Sequence, residues 1–122
     1  MQYMIMFYNT IEHQTAPADP QQKQAYYGAW GAYIGAMKAA GVTRGGEELQ
    51  SPQTATTVRL RGGSRQVQDG PFAESKEQLG GFMVIEVATL DDALAWAARS
   101  PTAATGAVEV RPVVLAPLQA AS

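Results

Sequence analysis

Four kinds of residue in this chain have side chains and spacing suited to chemistry. There is one histidine, His13, an aspartate in a turn, Asp69, a helix-spaced aromatic set, Tyr26, Tyr27, Trp30 and Tyr33, and a few cations, Arg59, Lys76 and Arg111. Histidine changes charge near neutral pH, so His13 is the natural proton-transfer group, and an aspartate within about 3 Å of it would complete an acid–base pair. Asp69 is the candidate partner. Each residue also has a plainer reading. His13 lies in the polar loop from Asn9 to Pro20 and reaches a site only if that loop folds over it; otherwise it is solvated. An aspartate before glycine commonly hydrogen-bonds its own turn.

The stretch from Asp69 to Phe82 concentrates these signals. Asp69-Gly70 favours a tight turn, Pro71 fixes φ, and Phe72 is offered to a core, an interface or a ligand. Phe72 reads first as an apolar plug and second as a stacking platform. Lys76 lies among Glu74 and Glu77 as a solvated loop cation, and anchors an anion only if the loop closes. Core packing accounts for Trp30 and Tyr33, which leaves Tyr27 with the freer hydroxyl. Arg59, Glu86, Glu109 and Arg111 alternate with apolar strand positions. They are expected to converge on a sheet face without helices, as an interface ion-pair set or as the polar end of a ligand cavity.

Composition closes several routes. The chain has no cysteine, so disulfides and thiolate chemistry are excluded, and one histidine with no calcium-loop spacing argues against a metal site. A net charge of −2 without a basic run argues against nucleic acid or an anionic membrane as partner. Gly45-Gly46 leads into Glu47-Glu48, which repels phosphate, and no Gly-x-Ser-x-Gly nucleophile elbow occurs. No cofactor is implied. The apolar N-terminal run is too short for a membrane span and lacks the basic region and cleavage site of a signal peptide, so a cytoplasmic location is expected.

The elements that must position these residues follow from hydrophobic periodicity. Residues 2–8 and 81–87 are apolar runs expected as strands buried on both faces. From Gln21, the positions Tyr26, Trp30, Tyr33, Ile34 and Met37 recur at helical spacing, and Gly41 marks the helix end. Gly28, Gly31 and Gly35 each cost that helix about 1 kcal/mol relative to alanine, so packing must hold it. Residues 54–60 and 64–68 form a hairpin about Gly62-Gly63. Thr89, with Asp92 three residues on, starts a second helix whose buried stripe is Leu90, Ala93, Leu94 and Ala97, and Pro101 stops it. Residues 107–115 form the last strand, and 116–122 a flexible tail.

The expected order is β-α-β-β-β-α-β in one α+β domain over residues 1–115, a ferredoxin-like split βαβ plan with an extra hairpin strand. Helices cover only one face of such a sheet, so a second copy of the chain is expected to cover the other, giving a homodimer.

Several segments resemble a known family in content and order. They are Asp69–Phe72, Gly45–Leu49, Thr56–Arg59, Leu90–Arg99 and Val108–Pro112, which together are similar to the DGPF branch of the YCII-related proteins. The resemblance implies a ferredoxin-like dimeric α/β barrel with a cavity between helices and sheet or near the dimer interface. It fixes no single reaction. Some distant members are similar to small-molecule enzymes that use a histidine on or near the first helix with an aspartate, and this chain departs from them in having no histidine on that helix. Other members are associated with extracytoplasmic-function sigma factors. The expectation is thus a homodimeric domain that holds a small organic ligand or a protein partner. One alternative is an acid–base enzyme of lyase, isomerase or dehydrochlorinase type using Asp69 with His13 on a small, aromatic substrate. The other is an accessory factor linked to a sigma factor.

Overall fold

The N-terminal apolar run forms the central strand that organises the rest. In the computed structural model, which describes residues 1–115, β1 spans Gln2–Asn9 and alternates half-buried and buried positions along its whole length. It pairs antiparallel with β5, Gln78–Glu86, on one side and with β6, Ala107–Pro112, on the other. A second edge strand, β2 at Thr43–Glu48, pairs antiparallel with β5 and completes the order β2-β5-β1-β6. That order interleaves two βαβ units, the split βαβ plan.

Two longer helices lie on one face. α2, Pro20–Ala39, starts where the Asp19 side chain accepts from the Gln22 amide and ends before Gly41, whose φ of 71° makes it the left-handed terminator. α3, Leu90–Ala98, is capped by Thr89, whose hydroxyl accepts from the Asp92 amide. Two single turns complete the helices: α1 at Ile11–Gln14, capped by Thr10, and α4 at Thr102–Thr105.

The core lies between this helical layer and the odd-numbered face of β1. Ile5, Met37 and Ile85 are fully buried, packed with Tyr3, Phe7, Tyr33, Ala93 and Ala97. Side-chain alternation sends Met4, Met6 and Tyr8 of β1 to the opposite face, with Phe82 and Val84 opposite Met6 and Met4 on β5. All five are half-buried rather than buried. The runs are therefore apolar on both faces, as the sequence suggests, but only the helix face is closed within one chain.

Three expectations about the strands are corrected. The edge of the main sheet is β2, and the hairpin is a separate two-stranded sheet made of β3, Thr56–Arg61, and β4, Ser64–Asp69. β2 carries Arg-Gly-Gly-Glu-Glu, which has no strand propensity; pairing with β5 forms it, helped by Gly45 at φ 127° and by Gly46, where a Cβ would lie 2.6 Å from the Phe82 carbonyl. The final strand ends at Pro112, whose ring nitrogen cannot donate to a ladder. The hairpin turn itself is as read: Gly62 and Gly63, at φ 58° and 78°, satisfy a turn that needs two positive φ values. The expected flexible tail, 116–122, lies outside the described residues.

Candidate functional site

Between α2, α1, the β2–β5 edge and α4 lies a cavity of about 380 Å³. Its walls are rings. Phe7 meets Trp30 edge-on with centroids 5.2 Å apart, Tyr33 meets Phe7 at 6.2 Å, and Tyr26 meets Tyr27 at 5.3 Å. Edge-to-face packing of this kind fixes ring positions beyond what burial alone does. The floor is open where Gly46, Gly80 and Gly81 line it, with the Met83 side chain beside them. Gly80 is the extra residue where the β1–β5 register shifts, since Phe7 pairs with Gly81 and Tyr8 with Leu79. A Cβ on Gly81 would lie 2.8 Å from the Glu47 carbonyl, so the β2–β5 approach requires glycine there.

The polar groups of the cavity are tied down by one another. The buried Asn9 donates from Nδ2 to Thr105 Oγ1 at 2.7 Å and accepts the Thr10 amide on Oδ1 at 3.1 Å. Gln14 donates from Nε2 to the Asn9 carbonyl at 2.9 Å and to the Gln78 carbonyl, stitching α1 onto the β1–β5 bulge. The Tyr26 hydroxyl donates to the Gln14 carbonyl at 3.1 Å, so α2 holds the same turn from the other side. That turn carries His13 to the cavity, with Nδ1 3.0 Å from the Thr10 hydroxyl. When the hydroxyl donates to Nδ1, the neutral ring keeps its proton on Nε2.

The ionisable phenols respond to this setting. Burial pushes the Tyr26 hydroxyl up from its ordinary value, and the Glu48 carboxylate raises it further. Burial pushes Tyr33 up to about 12 from 10.0, with Arg99 acting in the opposite direction, while its hydroxyl donates to the Trp96 carbonyl at 2.9 Å. The folded protein therefore holds the Tyr33 proton more tightly than the unfolded chain does. The stability this group contributes is complete below about pH 10 and is lost as the pH climbs towards about 12. Alkaline unfolding followed by circular dichroism and tyrosinate absorbance is expected in that window. Tyr33→Phe should move the alkaline limit upward while lowering neutral-pH stability by about 1 kcal/mol through the lost hydrogen bond.

Of the residues singled out from sequence, His13 and Tyr27 line the cavity and Asp69, Phe72, Arg59, Lys76 and Arg111 do not. Asp69 closes the exposed end of β4 opposite Thr56. Gly70 follows at φ 98° and donates to the Ala55 carbonyl at 2.8 Å, so this cross-strand bond, not a tight turn, closes the base of the hairpin. Phe72 is not a core residue of the chain: it is 74% exposed, and the Arg59 guanidinium lies 5.0 Å from its ring centroid. Lys76 belongs to a shallow groove with Tyr8, Thr10 and Glu109. The expected convergence of four charges is corrected too. Glu86, Glu109 and Arg111 share the open sheet face, with Glu109 and Arg111 paired, whereas Arg59 lies on the separate hairpin.

Sequence reasoning missed Asn9, Gln14, Glu48, Thr102 and Thr105 as cavity residues. Glu48 stands opposite Gly81, which stands opposite Phe7, so it shares the helix-side face. Only knowledge that residues 43–48 form the edge strand could have found it. Among the described residues no cluster of three His, Asp or Glu side chains could hold a metal ion, and no helix is long and apolar enough to cross a membrane.

Comparison with known proteins agrees with this architecture. A solved dehydrochlorinase, the 5-chloro-2-hydroxyhydroquinone dehydrochlorinase TftG of Burkholderia phenoliruptrix AC1100 in complex with 2,5-dihydroxybenzoquinone, superposes with a TM-score of 0.50. The match covers 93% of this chain and 94% of that one at 18% identity, which is a likeness of fold. An uncharacterized protein of Rhizobium meliloti (strain 1021) is 45% identical over 85 residues, 68% of this chain and 65% of that protein, so the shared stretch spans less than two thirds of the relative. The model of the YCII-related domain matches residues 1–116. The chain belongs to the YCII-related domain family.

Proposed function

We propose that this chain is a small-molecule-binding domain that works as a homodimer and holds one planar organic ring between α2 and the sheet. The cavity carries this reading. Its volume of about 380 Å³ sits at the small end of ligand pockets, its walls are Phe7, Trp30 and Tyr33, and glycines open its floor. The similarly folded dehydrochlorinase was solved with a single-ring quinone, and a ligand of that size supports the same use of the fold here. The dimer is supported by the strip of Met4, Met6, Tyr8, Phe82 and Val84 on the face without helices. Two such sheets packed face to face give the dimeric α/β barrel.

A second reading, acid–base turnover of the bound ring, is favoured by one observation: His13 lines the same cavity. Glu48 lines it as well, whereas Asp69 belongs to the hairpin, so this reading pairs His13 with Glu48.

Trp30 lies in the cavity wall and Trp96 does not, so a Trp96→Phe background isolates a local reporter. Titration with hydroquinone and with simple phenols, rings that are neutral at pH 7, is expected to change Trp30 fluorescence saturably, at one ligand per chain. Gly80→Leu, whose Cβ would lie 3.1 Å from Gln14 Cδ, should abolish the change by filling the floor and displacing Gln14, while the circular dichroism spectrum is kept. No saturable response and no thermal protection with any single-ring probe would overturn the proposal.

A further inference from the structure

The cavity differs from a generic aromatic slot in its charges and in its spare hydrogen-bonding groups. No lysine or arginine lines it, and the carboxylates in its lining are Glu47 and Glu48. Among the described residues neither glutamate has an ion-pair partner. Strand alternation separates the two. Glu47 stands opposite Phe82 and faces away from the helices, while Glu48 stands opposite Gly81, where the missing side chain leaves its stem room beside Phe7.

The hydrogen-bond inventory leans the same way. Both hydrogens of the Gln14 amide are committed to backbone carbonyls, as are the hydroxyls of Tyr26 and Tyr33. Asn9 spends one amide hydrogen on Thr105 and its oxygen on the Thr10 amide. The wall thus uses many of its donors internally, with the Tyr27 hydroxyl left over, while the Glu48 carboxylate keeps its acceptor capacity. The charge of Glu48 also acts inward, since it adds to the upward shift of the occluded Tyr26 hydroxyl.

Resting on the binding role proposed above, we infer that the cavity selects rings that are neutral or cationic and carry hydrogen-bond donors, such as phenols, amides and aromatic amines. It discriminates against ring carboxylates, and Glu48 is the residue that sets the preference. A carboxylate ligand would meet the like charge of Glu48, weakened by solvent because that side chain is exposed, with no lysine or arginine in the lining to offset it. A donor-bearing ring gains a charge-assisted hydrogen bond at the same place.

The test compares benzoate, benzamide and benzylammonium, three single rings of nearly equal size, on the full chain and on Glu48→Gln. Dissociation constants come from calorimetry at neutral pH and moderate salt. In the unmodified protein, benzylammonium and benzamide are expected to bind roughly threefold more tightly than benzoate, the scale of an exposed charge interaction. Glu48→Gln should shrink the gap between benzylammonium and benzoate by roughly threefold and leave benzamide within about twofold. Benzoate binding as tightly as benzylammonium, or a gap that survives Glu48→Gln, overturns the inference while the binding role stands. Silence from all three rings and from hydroquinone overturns the binding role, and this inference with it.

Discussion

On the homodimer proposed above, Met6→Asp combined with Val84→Asp is expected to give a folded monomer. Met6 is central to the open face of the sheet, flanked by Phe82 on β5 and Glu109 on β6, and Val84 is one pair further along, opposite Met4. Both side chains point away from the core of Ile5, Met37 and Ile85, so the helix-side packing that holds one chain together is untouched. In a face-to-face dimer the same substitutions place four carboxylates in the centre of the interface. An unpaired charge there costs several kcal/mol, so the dissociation constant should rise by at least roughly a hundredfold. Sedimentation or light scattering across a concentration series reads the result, with circular dichroism confirming the fold. A parent chain already monomeric at micromolar concentration would overturn the dimer, and a double variant that stays dimeric would show that the second copy covers another face.

That face is also where the sequence was most informative. Residues 2–8 and 81–87 read as apolar on both sides, and an element of that kind cannot be finished by helices on one side alone. Local chemistry was equally legible where one residue decides the geometry. The Thr89–Asp92 cap, the Gly62-Gly63 turn and the Gly41 terminator all reflect backbone donors or φ values that few residue types satisfy. β2 was not legible, because Arg-Gly-Gly-Glu-Glu has neither alternation nor propensity and becomes a strand only when β5 offers it a ladder.

The candidate site divided along the same line. Chemical type drew attention to His13 and the aromatic helix, and the fold brings both to the cavity. Asp69-Gly70-Pro71-Phe72 was expected as a tight turn, whereas Asp69 ends β4 and Gly70 bonds across to Ala55, and nothing local reveals that this hairpin stands apart from the main sheet. Glu48 became visible only through a three-strand register, Glu48 to Gly81 to Phe7, which spans residues far apart in the chain. Side chains that act through long-range register are the ones single-sequence reasoning cannot place.

The energetic counterpart of that division is a difference between the two sheets, and Ile85→Ala set against Val58→Ala measures it. Ile85 is fully buried on β5, paired with Tyr3 across the strand and packed in the cluster of Ile5, Met37 and Ala93. Removing its branched side chain leaves a void in the tightest part of the core, so Ile85→Ala should cost about 3–4 kcal/mol, within the range for large-to-small changes. For a domain of this size that is a fall in Tm of roughly 10 °C or more. Val58 is 57% exposed on β3, paired with a similarly exposed Val67, and the hairpin adds no strand to the main sheet. Val58→Ala should therefore cost no more than about 0.5 kcal/mol. Urea unfolding of both variants, with their slopes compared, checks this. Equal losses would mean that the hairpin is packed as firmly as the core, by a surface that one chain alone leaves open to solvent.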